Sequence, residues 1–454
     1  TPVKTDIEEL ALSIPHLAET ATEMQQWVED EDVFWLFNNL GRFYGGQGLY
    51  ELAEPWLKQC RNITRSRLGV EHLYVASSLN NLALLYSSQG RYKEAELLYL
   101  EALEMRMQLL GYSDLYVATS LNNLALLYFS QGRYKKAELL YLEALEMRMQ
   151  LLGYSDPYVA TSINNLAGLY FSQGRYKEAE PLYLEALGMR KRLLGAEHPD
   201  VASSINNLAN LYLDQGRYTE VEPLYLEALG MRKRLLGAEH PDVAQSLSNL
   251  ANLYSNQGQY KEAKPLLLEA LDMRKRLLES SHPDVATSLN NLAFFYYSQE
   301  RYTEAESLYK EALEMYKELL GSSHPDIANS LNNLANLYLN QGRYTEAKPL
   351  LLEALEMGKQ LLGSSHPDVA HSLNNLASLY KYEGQYTEAE HLFLEALEIT
   401  KRLLGAEHPN TQTIHKNYLY FLLQVLRENR QEELSDETSL QIISDMEKSS
   451  LENS

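Results

Sequence analysis

Side chains that could bind a metal ion recur at a fixed interval along the chain. Histidine returns every 42 residues in one row, at His198, His240, His282, His324, His366 and His408. Zinc ligands converge within about 2 Å of one ion, whereas equivalent residues of stacked helices lie about 10 Å apart. The order His-Pro-Asp places proline and aspartate where helices begin. We therefore predict that these histidines pack at helix starts, and we predict no metal site and no cofactor.

Two other groups could carry chemistry. Arg-Lys-Arg runs at 190–192, 232–234 and 274–276 lie near the ends of predicted helices, where cations complement the helix dipole. A site for acidic ligands is the alternative. The single cysteine, Cys60, stands where later copies of the pattern hold alanine, which indicates a small buried residue. Because no catalytic triad and no His-Glu-x-x-His motif occurs, we predict a protein that is not an enzyme.

The most regular polar feature is a pair of adjacent asparagines. The stretch Leu79-Asn80-Asn81-Leu82-Ala83 returns 42 residues later, and the second asparagine is present in ten successive copies from Asn39 to Asn417. Asparagine costs a helix roughly half a kcal/mol relative to alanine, so a pair kept in mid-helix needs a reason. An amide offers two donors and an acceptor, which suits a peptide backbone of any sequence. The alternative is a bridge between neighbouring helices, and one amide could serve both roles.

The predicted peptide contacts are asparagines of the repeated pair and aromatic residues beside them. They are Asn81, Asn122, Asn123, Asn164, Asn165, Asn206, Asn207, Asn249, Asn290, Asn291, Asn332, Asn333, Asn374, Asn375, Phe129, Phe171, Phe294 and Tyr297. The aromatic residues stand at repeat positions whose residue type varies, so a fixed polar row with variable neighbours would combine backbone grip with local selectivity. The alternative is that these rings pack against the adjacent helix.

Two helices in each 42-residue unit must position these side chains. In the copy at 73–114, Val75, Leu79 and Tyr86 follow the spacing of one helical face, and Asn80 and Asn81 fall on the opposite face. Glycine in the Gln-Gly-Arg segment ends this helix, and a second apolar stripe follows. A fixed period of this length signals a solenoid, so the fold class is all-α. Glu300 replaces the turn glycine in one copy, and we predict that it adopts the left-handed conformation.

Four segments are predicted. Residues 1–30 form capping helices broken at Pro15, residues 31–408 form nine tandem repeats, and residues 409–430 form a closing helix. Residues 431–454 are acidic and rich in serine. We expect this tail to be disordered, with one loosely docked helix as the alternative.

Composition narrows the choice of function. The chain of 454 residues carries a formal net charge of −22, which disfavours nucleic acid as a partner because phosphate binding requires a basic face. No apolar run approaches the ~18 residues of a membrane span. We expect a cytoplasmic protein whose partner is another protein or a peptide, with no membrane contact.

The repeated pattern Asn-Leu-Ala-x-x-Tyr-x-x-Gln-Gly-Arg-Tyr-x-Glu-Ala-Glu-x-x-Tyr-x-x-Ala-Leu resembles the tetratricopeptide repeat (TPR) from Asn39 to about Leu404. The 42-residue unit with Leu-Gly-x-x-His-Pro-Asp-Val-Ala is similar to the kinesin light chain variety. This resemblance implies a right-handed superhelical α-solenoid of antiparallel helix pairs, with first helices that line a concave groove for a peptide. It also implies that asparagine at the place of Asn81 binds the peptide backbone.

The same resemblance leaves two alternatives to a peptide-binding scaffold. The near-identical units are also similar to the C-terminal arrays of bacterial, notably cyanobacterial, signalling NTPases with an NB-ARC-type domain. No Gly-x-x-x-x-Gly-Lys-Ser/Thr motif occurs in the chain, so we expect any such NTPase domain to lie upstream of Thr1. The second alternative is a structural spacer that associates with itself.

Overall fold

The fold is described by a computed structural model, which covers residues 13–23, 25–278 and 282–452. Over these residues the secondary structure consists of 21 α-helices and two short 3-10 turns, without a strand. The all-α prediction is therefore confirmed. Residues 1–12 of the predicted capping segment lie outside the described residues.

Nine antiparallel helix pairs form the body of the chain. The first helices of the pairs are α2 (Asp30–Gly46), α4 (Leu73–Ser88), α6 (Leu115–Ser130), α8 (Pro157–Ser172), α10 (Pro199–Asp214), α12 (Pro241–Asn256), α14 (Pro283–Tyr297), α16 (Pro325–Asn340) and α18 (Pro367–Glu383). The second helices are α3 (Tyr50–Leu68), α5 (Tyr92–Leu110), α7 (Tyr134–Leu152), α9 (Tyr176–Leu194), α11 (Tyr218–Leu236), α13 (Tyr260–Leu277), α15 (Tyr302–Leu320), α17 (Tyr344–Leu362) and α19 (Tyr386–Leu404). Helix α1 (Ile14–Thr22) precedes them, and helices α20 (Pro409–Arg427) and α21 (Glu437–Glu452) follow.

The chain divides into two compact units. Unit 1 comprises residues 1–171 and 175–322, and unit 2 comprises residues 172–174 and 323–454. Inside unit 1 the small side chains Ala83, Ala95 and Ala102 are fully buried, which lets the two helices of a pair approach closely. Inside unit 2, Ala335, Ala347 and Ala354 do the same, because they occupy the equivalent repeat positions.

The N-terminal cap buries the one cysteine. Helix α1 begins at Ile14, and Pro15 lies in its first turn, where proline is favoured because its missing N–H would have no partner within the helix. Ala21 packs into a buried cluster with Phe37 and Cys60. Burial raises the pKa of the Cys60 thiol to about 12, which keeps it protonated at neutral pH. The interpretation of Cys60 as a small buried residue is confirmed.

Histidine starts most of the later first helices. The Nδ1 atom of His198 accepts a hydrogen bond from the backbone N–H of Asp200 at 3.1 Å. The same bond forms at the other members of the row: His240, His282, His324, His366 and His408. Each imidazole thus satisfies one of the backbone N–H groups that have no partner within the helix. The prediction that the row lies at helix starts is confirmed, and N-capping is its physical reason.

In four turns of unit 1 an ion-paired arginine ties the turn to the repeat before it. Arg91 stacks its guanidinium 3.7 Å from the centroid of the Tyr86 ring and bonds Glu54 of the preceding second helix at 2.8 Å. Burial alone would raise the pKa of Glu54, but hydrogen bonds from Lys58, Arg91 and Gln89 outweigh it and lower this pKa to about 2. The turn is therefore a link between repeats as well as a helix end.

The Arg-Lys-Arg runs do more than complement helix dipoles. The first arginine of each run is buried: Arg190, Arg232 and Arg274 are 7%, 7% and 3% exposed. Arg190 donates to Ser204 Oγ at 2.8 Å and to the carbonyl of Asp200 at 3.2 Å, and both acceptors belong to the next repeat. These arginines therefore fasten one repeat to the next, as Arg106 and Arg148 do earlier in the chain.

The C-terminal tail is more ordered than the sequence predicted. A disordered tail over 431–454 is wrong for its described part, because residues 437–452 form α21. Glu390 accepts hydrogen bonds from the backbone N–H groups of Ser435 and Asp436 at 2.7 and 3.3 Å. Ile443 is 3% exposed, and Ser439 bonds the Tyr418 hydroxyl at 2.6 Å. The structure therefore has the docked helix, which was the alternative.

The turn at Glu300 behaves as predicted. Its φ is +59°, in the left-handed region that glycine occupies at the equivalent position Gly258, with φ +74°. The backbone bond from Arg301 N–H to the Tyr296 carbonyl is kept at 3.0 Å. The turn geometry therefore overrides the local preference of glutamate.

Candidate peptide-binding face

The candidate site is the side of the first helices that carries the paired asparagines. We call it the asparagine face and define it by the repeat positions of Asn80, Asn81, Leu84 and Ser88 in α4. At 3.6 residues per turn these positions lie together on one side of the helix, opposite the buried Leu79. Within each unit, stacking of the repeats places these positions side by side.

The paired asparagines form a hydrogen-bonded row along this face. In each case Nδ2 of the second asparagine donates to Oδ1 of the first asparagine one repeat earlier. The bonds join Asn81 to Asn38 (2.6 Å), Asn123 to Asn80 (3.0 Å), Asn165 to Asn122 (3.0 Å), Asn207 to Asn164 (3.1 Å), Asn249 to Asn206 (2.8 Å) and Asn417 to Asn374 (3.1 Å). The bridge between neighbouring helices, one of the two roles that the sequence allowed, is therefore present.

The row leaves hydrogen-bonding capacity unused. An amide carries two N–H donors and an acceptor oxygen, and the bridge takes one N–H from each second asparagine. Asn80 also directs Nδ2 at Asn81 Oδ1, but at 3.5 Å this contact is long. Asn123 and Asn165 are half-buried, so water reaches part of each amide. Bridging a repeat and binding a ligand are thus compatible in the same side chain.

The row is interrupted over three successive repeats, since Asn290 Oδ1 and Asn332 Oδ1 accept no hydrogen bond from a described residue and the repeat before them lacks the first asparagine. Ser248 replaces the first asparagine of its repeat, and its hydroxyl donates to the Ala244 carbonyl of its own helix at 3.1 Å. Asn291, which would donate to an asparagine there, has no side-chain hydrogen bond to any described residue and is half-buried. The Asn291 amide therefore keeps all of its hydrogen-bonding capacity, so a substitution there can separate ligand binding from bridging between repeats.

The asparagines that were predicted to contact a peptide differ in how exposed they are. Asn206, Asn332, Asn374 and Asn375 are 7%, 3%, 5% and 5% exposed, so a ligand would reach them poorly. Asn81 and the other predicted asparagines are half-buried; they are Asn122, Asn123, Asn164, Asn165, Asn207, Asn249, Asn290, Asn291 and Asn333. These half-buried asparagines, most of them in unit 1, are the better candidates for contact with a ligand.

The predicted aromatic contacts also differ among themselves. Phe294 is 56% exposed and stacks on Tyr297, with ring centroids 6.1 Å apart. Phe129 and Phe171 are half-buried and lie 5.9 and 6.0 Å from tyrosine rings that begin the paired second helices. The packing alternative therefore describes Phe129 and Phe171 well, and Phe294 remains the most accessible aromatic ring of the face.

The face is devoid of charge over three consecutive first helices. Residues 73–88, 115–130 and 157–172 contain no Asp, Glu, Lys or Arg, although 22% of the whole chain is charged. A face that only met water would accept Lys or Glu at less cost to the helix than asparagine. The lack of charged residues is visible in the sequence, but it indicates a binding face only once the structure places these helices side by side.

A cavity of about 750 Å³ opens at the N-terminal end of the face, in unit 1. Its lining includes Asn39, Asn81 and Leu84 together with Gly45 and Arg42. Glycine supplies the room, because the first repeat has Gly45 where the next has serine. Arg42 is exposed and forms no ion pair with any described residue, so a cation faces this cavity. Sequence reasoning missed Arg42 and the cavity, and the glycines were the only signal.

Two segments of unit 1 that are far apart in the sequence contact each other. The start of α14 meets the turn between α2 and α3, where a Cβ built on Gly48 would lie 2.6 Å from Pro283 Cδ. The His282 side chain is 8% exposed there, against 27% for His240 at the same repeat position. Burial lowers the pKa of His282, so the neutral imidazole is favoured.

Comparison with known families identifies the repeat. A family model described as tetratricopeptide repeat matches residues 32–108, 158–234, 200–276, 284–360, 326–402 and 368–418. Two further models with the same description match residues 117–158 and 248–319. No curated protein matches the chain significantly.

Solved structures with similar repeats include kinesin light chain-like proteins. BtubC (BKLC) from P. vanneervenii is 27% identical, with a TM-score of 0.41 over 53% of this chain and 91% of its own. A putative kinesin light chain from Podosopora anserina with nearly identical TPR-like repeats is 30% identical, with a TM-score of 0.38 over 45% and 98%. A Rap protein complexed with Competence and Sporulation Factor is 15% identical, with a TM-score of 0.48 over 79% and 99%.

Among the residues that the structure describes, no helix combines the length and the apolar character that crossing a membrane requires.

Proposed function

The chain belongs to the tetratricopeptide repeat family, whose members are generally non-catalytic scaffolds for protein interactions, and we propose that its asparagine face binds an extended peptide segment of a partner protein. The observation that carries the proposal is the row of half-buried amides with unused donors and acceptors on a face that carries no charge over three consecutive first helices. Such groups bind backbone N–H and C=O groups, which every peptide presents.

The chemistry of the face also favours a particular kind of segment. Leu84, Leu126 and Phe294 are 52%, 46% and 56% exposed, so apolar side chains of the ligand have partners beside the amides. The cavity lined by Asn39, Asn81 and Arg42 would hold one end of the segment. We therefore propose a largely uncharged, partly apolar peptide as the ligand, and no reaction follows binding.

A displayed peptide library panned against the whole chain tests this proposal. Selected peptides are then measured by fluorescence anisotropy against the wild-type chain and against a triple variant, Asn165→Ala, Asn207→Ala and Asn249→Ala. We expect the triple variant to bind at least about tenfold more weakly, which corresponds to about 1.4 kcal/mol.

Loss of stability must be separated from loss of contact. Glu96→Gln is the matched control, because it weakens the bond between repeats from Arg133 to Glu96 (2.7 Å) and leaves the asparagine face intact. Asn291→Ala is the complementary variant, since it removes an amide that bridges nothing. Weaker binding by Asn291→Ala, with unchanged binding by Glu96→Gln, supports the proposal. Equal binding by the triple variant and the wild-type chain would refute it.

A further inference from the structure

The solvent side of two second helices in unit 1 carries an unusual order of side chains. In α5 the exposed positions read Lys93, Leu97, Leu100 and Glu104, which follow one another at three and four residues and so lie in a line along the helix. In α7 the equivalent line is Lys135, Leu139, Leu142 and Glu146. We call these eight side chains the leucine patch.

The leucines of this patch are exposed to an extent that needs a reason. Leu97 and Leu139 are 69% and 67% exposed, and Leu100 and Leu142 are 41% and 42% exposed. A cleft of about 400 Å³ lies beside them, lined by Leu142, Leu145 and Met149 among others. Single exposed leucines are ordinary, but clustered apolar surface on a folded protein marks a site of interaction.

The two helices lie next to each other. Leu103 of α5 packs into the same buried cluster as Ala144 and Met147 of α7. Their two lines of exposed side chains therefore run side by side, about 10 Å apart. The patch is thus a continuous surface with lysines along one edge, leucines in the middle and glutamates along the other edge.

The charges at its edges are not satisfied inside the chain. Lys93 and Lys135 form no ion pair with any described residue, and the same holds for Glu104 and Glu146, which accept only amide hydrogen bonds at 3.4 and 3.2 Å. Glu101 of the same helix differs in this respect, since it pairs with Arg65 at 2.5 Å. Four exposed charges of the patch are therefore free to meet a partner.

We propose that the leucine patch binds the same patch of a second copy of this chain. A two-fold axis in the plane of the contact and perpendicular to the helices sets α5 antiparallel to α5 of the other copy. Lys93 then faces Glu104 of the second copy, and leucine faces leucine. The other choice of axis sets helices parallel and opposes lysine to lysine, so the charges select the antiparallel arrangement.

The size of the patch predicts a weak dimer. The patch runs from Lys93 to Glu104 in α5 and from Lys135 to Glu146 in α7, so it is about 17 Å long and about 20 Å wide. Two such patches bury roughly 700 Å², which is the size of a weak or transient interface. Dimerisation in the micromolar range is therefore expected.

The pattern is confined to these two repeats. One repeat later Lys177 and Leu184 are kept, but Pro181 replaces the first leucine and Gly188 replaces the glutamate. Lys177 thus has no partner across the proposed two-fold axis, and it supplies a matched control on the same kind of surface.

Sedimentation equilibrium over a range of concentrations tests the proposal on the whole chain. We expect the wild-type chain to dimerise, and both charge-reversed pairs, Lys93→Glu/Lys135→Glu and Glu104→Lys/Glu146→Lys, to weaken the dimer at least about tenfold. Mixing the two reversed chains should restore a dimer, because each then presents the charges that the other lacks. Lys177→Glu should leave the dimer unchanged.

Two results would overturn this inference. One is a wild-type chain that stays monomeric at about 100 μM, well above a micromolar dissociation constant. The other is a dimer that neither reversed pair weakens, which would place the contact on another face. All substituted side chains are exposed, and circular dichroism at increasing temperature checks that each variant is folded.

Discussion

The bridge between asparagines makes a quantitative prediction about stability. Asn165→Ala removes the hydrogen bond to Asn122 (3.0 Å), whose net contribution is about 1 kcal/mol. Alanine returns roughly half a kcal/mol through its better helix propensity. We therefore expect the free energy of unfolding to fall by only about 0.5 kcal/mol, which a single variant measures poorly.

A double-mutant cycle isolates the bond from helix propensity. Asn122→Ala, Asn165→Ala and the double variant are compared by urea denaturation followed by circular dichroism, with equal slopes required of all four chains. Because each propensity gain enters the single and the double variants alike, it cancels, and the coupling energy that remains should be about 1 kcal/mol.

Asn291 supplies the control for this cycle. Ser248 offers it no bridge, so Asn291→Ala should leave stability unchanged or raise it by about half a kcal/mol. Conversely, Ser248→Asn should create a bridge to Asn291 and stabilise the protein by about 1 kcal/mol, provided Asn291 is present. A coupling energy near zero between positions 122 and 165, or a loss of stability on Asn291→Ala equal to that on Asn165→Ala, would refute this reasoning.

Further predictions concern the turns, the ion pairs and the buried thiol. Glu300→Gly should raise the free energy of unfolding by about 1 kcal/mol because it relieves the left-handed strain, and Gly258→Glu should lower it by a similar amount; opposite signs in urea melts are required. Glu54 stabilises the fold above its unfolded pKa of about 4.5, and this contribution is lost as the pH falls towards about 2. Glu54→Gln should therefore lower the free energy of unfolding at pH 7 by about 2 kcal/mol. It should also flatten the pH dependence of this free energy between about pH 2 and pH 4.5. An unchanged slope would contradict that assignment. Cys60 should react with a thiol reagent only as fast as the protein opens, and labelling of the native chain at the rate of a free thiol would contradict its burial.

The 42-residue period of the sequence predicted most of the fold because every repeat packs its two helices through the same positions. The positions of Leu79 and Tyr86 indicate a helix and its buried side, and the glycine of the turn indicates its end. The sequence predicted that His198 lies at the start of a helix. Its hydrogen bond to the Asp200 N–H depends on a side-chain rotamer that the sequence does not reveal.

The features that the sequence did not predict depend on contacts between repeats and between segments that are distant in the sequence. No pattern distinguished Arg190, which is buried against the next repeat, from the exposed Lys191 and Arg192 beside it. The acidic composition of the tail predicted disorder, although one carboxylate, Glu390, binds the backbone before α21. The cavity at Arg42 arises from the absence of side chains at glycines of the first repeat, which a search for functional side chains overlooks.

The central claim is that free amide groups of the asparagine face bind the backbone of a peptide. The most direct measurement is a scan in which each backbone N–H of a selected peptide is replaced by N-methyl, with affinities determined for the wild-type chain and for Asn291→Ala. We predict that at least one N-methyl group weakens binding to the wild-type chain about tenfold or more, and that it weakens binding to Asn291→Ala much less, because the bond is already missing there. Equal losses on both chains at every position, or no loss at any position, would contradict it.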